Sequence, residues 1–346
     1  MTMWAIPRHG AYTDPLYQGM EAKGVSVKSG QFSFAWVKNK VLRGDIVHIH
    51  WPSYGYPDKG STWYIAVGFF KFCLLLSFIK LKGARLWWTA HNLLPHEPCR
   101  FPFVDKLGRH VVIFFSEKIF VHGEEAKAVL SQNFHRVIGK TTSLPHGHWI
   151  GYYGDLVDKQ QAKLALGIAA YKHVFLLFGQ LKPYKNVEGL IRAFALLQRE
   201  DSLLLIAGRF TDPDYQQGIV ELTSTQPHIR LDAGFIDDDK VPYYFASADA
   251  MCMPYTEILT SGTAMLSMSY GRPIISINKG YLRDVIIPDT GMLLESIAPE
   301  QLADAMQKSV RLAWNEQKIV EHVRQFTFAD AAQTLLNAHN EHGQGI

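Results

Sequence analysis

Cysteine is scarce in this sequence. Cys73, Cys99 and Cys252 are the only three in 346 residues, and no C-x-x-C pair occurs. A disulfide scaffold or zinc ribbon is therefore not expected, and a reducing cytoplasm fits. Charge of one sign is also missing: 35 Lys and Arg face 32 Asp and Glu, a formal net charge of +3. That is too slight a balance for nucleic acid to be the main partner. The first residues lack a charged segment followed by a long apolar one, so no signal peptide is expected. There is no tandem repeat and no low-complexity tract. What is present is apolar material, 47% hydrophobic against 19% charged residues, which excludes a disordered chain. At this length about two domains are expected.

One long apolar run, residues 64–79 (YIAVGFFKFCLLLSFI), raises the question of a membrane. It is shorter than the roughly 20 residues a spanning helix needs, and Lys71 interrupts it. Two readings remain: a buried crossover helix between parallel strands, or a helix lying on an anionic membrane surface with Phe and Leu dipping in. Residues 100–115 (RFPFVDKLGRHVVIFF) repeat the mixture of Phe with Lys106, Arg109 and His110, which strengthens the case for peripheral contact at the inner face of the cell membrane over what one such run gives, with ordinary helix packing as the other reading.

Elsewhere short apolar runs alternate with helix-length segments. Strands are predicted at 4–7, 45–50, 85–91, 118–122 and 142–144, and helices at 64–82, 103–116 and 124–134. Residues 151–167 have less core character and read as a boundary. The alternation restarts with strands at 173–178, 202–207, 229–232, 250–253 and 273–277. Helices are predicted at 187–198, after 214, at 261–270, 300–314 and 316–325, and the tail from 339 reads as frayed. The fold class is therefore α/β, two doubly wound domains facing a central cleft. The expected division is 1–155, 156–325, and a C-terminal helix and tail over 326–346.

Ligands of such sheets bind beyond the carboxyl ends of the strands. After HVFLLF comes Gly179-Gln180-Leu181-Lys182-Pro183-Tyr184-Lys185-Asn186, two cations ahead of a helix, a pattern suited to a diphosphate. After the strand at 250–253, Ser261-Gly262-Thr263 opens an apolar helix with unpaired amides and hydroxyls, a second anion site. In the first half, His91 ends a strand and Glu97 lies in the loop beyond; either could serve as a general base. His48 and His50 share a strand face at period 2, and metal ligation by them lacks a supporting carboxylate or cysteine.

These stretches, in this order, resemble the GT-B superfamily of nucleotide-sugar glycosyltransferases. FGQLKPYKNVEGLIRAF, LLLIAGR and SGTAMLSMSYGRPII carry the general resemblance. HIHWP, TAHNLLPHE, LPHGHW, KPYKN and the SGT helix start look like the bacterial β-mannosyltransferases of exopolysaccharide assembly, the xanthan side-chain type. One departure stands out. The Glu-x7-Glu motif of the large retaining family 4 is incomplete, since Glu257 lies near its first position and Leu266 occupies the second. That favours the exopolysaccharide type, with inverting stereochemistry.

The resemblance implies mannose transfer from GDP-mannose, giving a β-linkage to a polyprenyl-diphosphate-linked oligosaccharide. A retaining UDP-sugar enzyme on another glycan and a non-catalytic nucleotide-sugar-binding module are the alternatives. It further implies that Lys182 and Lys185 neutralise the donor diphosphate while Ser261, Gly262 and Thr263 cap it. Glu257 and Tyr255 would meet the donor sugar or ribose, and Arg209, Phe235 and Ile236 would border the base. Arg8, His9, His50, His146 and His148 would line the acceptor side. No metal or cofactor is expected, because lysines and a helix N-terminus take the place of Mg²⁺ and no D-x-D motif stands in a suitable loop.

Overall fold

Aliphatic strands buried on both faces can pair in parallel only if helices cover them, and that is what this chain builds. The computed structural model describes residues 2–95 and 97–341. It contains two six-stranded sheets in which every neighbouring pair of strands is parallel. The chain divides into two units: residues 1–147 together with 327–346, and residues 148–326.

Unit 1 runs β1 (Thr2–Ile6), α1 (Thr13–Glu21), β2 (Ser26–Ser29), α2 (Phe34–Lys40), β3 (Ile46–Ile49), α3 (Thr62–Leu81), β4 (Arg85–Thr89), α4 (Pro102–Phe115), β5 (Lys118–His122), α5 (Glu124–Asn133) and β6 (Thr141–Leu144). The strand order β2-β1-β3-β4-β5-β6 reverses direction between β1 and β3. The loops after those two strands therefore open the crevice where ligands of such sheets sit. A helix far along the chain, Phe328–Asn340, completes the unit. It crosses α1 where Gly19 leaves room, since a Cβ there would lie 2.9 Å from the Ala332 Cβ. Lys23 and Arg85 bond to its Gln333 and His339.

Unit 2 runs α6 (Lys159–Ala165), β7 (His173–Phe178), α7 (Val187–Leu197), β8 (Ser202–Gly208), α8 (Pro213–Ser224), β9 (Ile229–Ala233), α9 (Val241–Ser247), β10 (Ala250–Met253), α10 (Gly262–Ser269), β11 (Ile274–Ile277), α11 (Tyr281–Val285), β12 (Gly291–Leu294), α12 (Pro299–Ser309) and α13 (Glu316–Arg324); Phe328–Asn340 is then α14. The order β12-β11-β10-β7-β8-β9 reverses between β10 and β7. All seven residues of β8 are buried. Leu190, Ile191 and Phe194 of α7 pack on that sheet, with Leu197 at the margin. Each fully buried aliphatic side chain of this kind contributes about 1.5–3 kcal/mol.

The structure departs from the sequence reading in several places. β2, α2 and β12 carry no pattern that marked them out. The boundary falls at 147, ahead of the expected 155, and the stretch read as a boundary contains α6. The terminal helix joins unit 1 instead of standing apart, and His339 lies inside it; residues 342–346 of the expected frayed tail lie outside the described residues. The helix α3 is 20 residues long and, by length and composition alone, apolar enough to cross a membrane. It does connect the parallel strands β3 and β4, yet only one face is covered. Ile65, Phe72, Leu75, Leu76 and Ile79 pack inward, while Trp63 (78% exposed), Phe70, Leu74 and Leu81 (85%) form an outward stripe.

Candidate functional site

In unit 2 the two loops singled out in the sequence follow β7 and β10, the strands flanking the reversal. Glycine brings them together. Gly179, at φ +106, ends β7, and a Cβ there would lie 3.3 Å from Lys185 Nζ and 3.6 Å from Thr263 Oγ1. A Cβ at Gly208 would overlap the Gly179 carbonyl oxygen, so the end of β8 leans on the same turn. Thr256 ties the second loop to the first, donating its N–H (2.8 Å) and hydroxyl (3.2 Å) to the Tyr184 carbonyl.

Lys185 is buried at the centre of this arrangement. Its ammonium donates to the Phe178 carbonyl at 3.2 Å and sits 5.2 Å from the Tyr255 ring centroid. Burial, followed by the neighbouring Lys182 charge, lowers its pKa to about 7. A cation held there without a carboxylate is stabilised by any anion that arrives. Tyr255 packs against it, also buried, with its hydroxyl beside Thr263. The Ser261 side chain accepts from the Ala264 N–H at 3.2 Å, the ordinary N-cap of α10. Gly262 and Thr263 then occupy the first turn, where amides have no intrahelical acceptor. Lys182 is half-buried, and Glu257 and Arg209 are exposed. Phe235 is exposed and Ile236 half-buried just after the edge strand β9.

Unit 1 ends in rings. His48, His50, His91, His122 and His146 are all buried, and Tyr12 packs edge-on or tilted against the last four of them and Phe328. Burial is the first cause of low pKa values throughout: His48 and His91 fall to about 3 and His146 to about 4. His50 and His122 are also pushed well below the usual range, with neighbouring histidines adding to the effect. All five rings are therefore neutral at pH 7. Among the described residues no group of three or more His, Cys, Asp or Glu is placed to hold a metal ion.

The loop carrying Glu97, which is exposed, is anchored on both sides. The Arg109 Nε donates to the Leu93 carbonyl at 3.0 Å, and the Cys99 N–H donates to Asp105 at 2.7 Å, which also accepts from Tyr56. Arg8 contacts Asp14 (3.2 Å) and Glu21 (2.9 Å) and stacks over Tyr17. It is thus committed to carboxylates of its own unit. Exposed His9 bonds Asp14 at 2.9 Å.

Of the residues expected on the acceptor side, Arg8, His9, His50 and His146 fall in unit 1 and His148 in unit 2. His148 receives the Ile150 N–H there. Tyr12, which lies in the loop 8–14 expected on the acceptor side, belongs to the ring cluster, as do Tyr17 and His122, which were not anticipated. A signal existed for His122: DIVHIH, RLWWTAH, KIFVH and LPH each place a histidine at a strand's carboxyl end.

The family described as "Glycosyl transferases group 1" matches residues 158–326. The chain is 24% identical over 284 residues to a GDP-mannose:glycolipid 4-beta-D-mannosyltransferase of Xanthomonas campestris, covering 78% of this chain and 73% of that protein. It is 24% identical over 178 residues to O-antigen chain mannosyltransferase B of Escherichia coli, covering 49% and 46%. Among solved structures, HepE of Anabaena in complex with UDP superposes with a TM-score of 0.73 at 13% identity, covering 99% of this chain and 100% of that one. Sucrose-phosphate synthase of Thermosynechococcus elongatus gives 0.71 at 17% identity, covering 99% and 81%. Residues 158–326 thus match a group 1 glycosyl transferase domain, and the chain has the GT-B fold and resembles bacterial mannosyltransferases.

Proposed function

We propose that the chain transfers mannose from GDP-mannose, with inversion, to a lipid-linked oligosaccharide in exopolysaccharide assembly. The observation that carries the donor site is the meeting of Lys185 and Thr263 over Gly179 at the strand-order reversal of unit 2. An acceptor hydroxyl attacks the anomeric carbon, its proton passes to a base, and the bond to the diphosphate breaks. The charge left on the diphosphate is met by Lys185 and Lys182 and by the amides of Gly262 and Thr263. No metal is called for in this scheme. Tyr255 acts from beneath, holding Lys185, while Glu257 is the group available to donor hydroxyls. Arg209, Phe235 and Ile236 border the base. A histidine whose conjugate acid lies near 3 accepts a proton poorly at neutral pH, so Glu97 is the preferred base.

The outer faces of α3 and α4 support a reading in which the acceptor is met at the inner face of the membrane. Beside the α3 stripe with Lys71 and Lys80, the helix α4 exposes Phe103, Leu107 and Phe114 with Lys106 and His110. Apolar side chains rimmed by cations suit an anionic lipid surface. The five inward residues of α3 argue against spanning, since a spanning pose would strip them from the sheet.

HepE was solved with UDP and with UDP-glucose, and this supports a second reading, a UDP-sugar donor. Calorimetry of the purified protein with GDP and UDP, with and without EDTA, separates the two. Tighter GDP binding that survives EDTA, with release of GDP and a new β-mannoside from a lipid-linked acceptor, is the expected result. Preference for UDP, a requirement for metal, or the absence of any product overturns it.

A further inference from the structure

The carboxyl end of the unit 1 sheet holds an unbroken hydrogen-bonded chain. Thr89 Oγ1 lies 2.8 Å from His48 Nε2, and His48 Nδ1 lies 2.9 Å from the Tyr17 hydroxyl. That hydroxyl lies 2.6 Å from His50 Nε2, and His50 Nδ1 lies 3.0 Å from His91 Nε2. The first four members are essentially inaccessible, and His91, at 7% exposure, is the only one that reaches the surface.

Proton counting restricts what such a chain can do. A neutral imidazole carries one N–H, so a ring bonded through both nitrogens must donate at one and accept at the other. Tyr17 has one hydroxyl proton between two rings, and if both rings donated to its oxygen that proton would be left buried and unpaired. Only two arrangements therefore satisfy every bond and also pair the Tyr17 proton. Running outward, Thr89 donates to His48, His48 to Tyr17, Tyr17 to His50 and His50 to His91, so His91 keeps its proton on Nδ1. Running inward, all four bonds reverse, and His91 Nδ1 is left bare. Burial, which disfavours charged imidazoles here, keeps the chain neutral in both. Each arrangement is concerted, because reversing one bond alone would leave a ring nitrogen without a matching partner or the buried Tyr17 proton unpaired.

We infer that Thr89, His48, Tyr17 and His50 are positioning residues that set which nitrogen of His91 bears its proton, and hence whether His91 donates to or accepts from a sugar hydroxyl. The chain acts as one unit, so a change at Thr89 is felt at His91 four hydrogen bonds away. The use of His91 towards a sugar rests on the glycosyl-transfer reading; the coupling along the chain does not. No charge moves along it, and Glu97 keeps the role of base.

The test uses the full-length protein with ¹⁵N-labelled histidine, reading imidazole nitrogen shifts, alongside steady-state kinetics. Thr89→Val removes the terminal hydroxyl with little change in shape, and Tyr17→Phe removes the central one. Both are expected to turn a single His91 tautomer into a mixture or into the opposite form, and Thr89→Ser is expected to restore it. Tyr17→Phe should also lower kcat by at least about tenfold, as loss of a group that orients another does, with donor KM unchanged because the donor loops lie in unit 2. An unaltered His91 tautomer in Thr89→Val and in folded Tyr17→Phe overturns the inference, whatever the reaction proves to be. If tautomers shift but kcat stays within twofold of wild type, the link to sugar recognition is overturned. Should Tyr17→Phe fail to fold, Thr89→Val and its serine rescue decide the matter.

Discussion

The two sheets end in opposite chemistry. In unit 2 the carboxyl edge is a place for charge: a buried ammonium, a second lysine close by, and helix amides without acceptors. In unit 1 the same edge is filled by five imidazoles kept neutral by burial and by a tyrosine packed among them. One edge gathers positive charge, whereas the other is a set of neutral rings bonded to or packed against one another. Under the proposed function, a nucleoside diphosphate suits the first, and a sugar hydroxyl, uncharged and needing orientation, suits the second.

The widest gap between the two should open in acid. His48 and His91 are held near 3 and His146 near 4, against an unfolded value of about 6.5. Between these limits the unfolded chain binds more protons than the folded one, so stability falls as pH drops below about 6.5. Each ring contributes up to about 1.4 kcal/mol per pH unit, and three together about 4. Thermal unfolding followed from pH 7.5 to 5 should show unit 1 melting progressively earlier; a flat melting temperature would mean the rings are already charged or hydrated.

Next in size, Glu97→Gln should reduce turnover by about 10²–10⁴-fold while nucleotide affinity survives. His91→Ala, compared at saturating donor, should slow turnover less; the reverse ranking would make the histidine the base. On the unit 2 side, Lys185→Ala should cost about 10²-fold in turnover and weaken nucleoside diphosphate binding in calorimetry. Near wild-type behaviour would empty the charged edge of its meaning. The smallest effect concerns the outer face of α3. Replacing Trp63, Phe70 and Leu74 by Ser should release the protein from anionic liposomes in a sedimentation assay and leave its melting temperature nearly unchanged, because these side chains already face solvent. Undiminished sedimentation would detach the stripe from membrane contact.

The charged edge was far more legible in the sequence than the neutral one. Lys182, Lys185 and the Ser261-Gly262-Thr263 start sit in loops that directly follow recognisable strands, so short-range pattern was enough to place them. Which of them touch each other depended on Gly179 and Gly208, whose packing follows from strand register and not from spacing. The ring cluster gathers residues from α1, β3, β4, β5, β6 and α14, and Tyr17 meets His48 across 31 positions of sequence. Nothing local announces that partnership. α3 stayed ambiguous because it is apolar nearly all round, which removes the periodicity that separates a covered face from an open one. β2 and β12 were missed as four-residue strands of weak character, one carrying Ser26, Lys28 and Ser29 and the other opening on Gly291.

The return of Phe328–Asn340 to α1 carries a consequence for how the molecule is made. Unit 2 is an uninterrupted stretch of chain and can finish folding while still near the ribosome. Unit 1, although its sheet emerges before unit 2, must wait with the Gly19 face of α1 uncovered until α14 has been synthesised, so of the two units the one begun first is completed second.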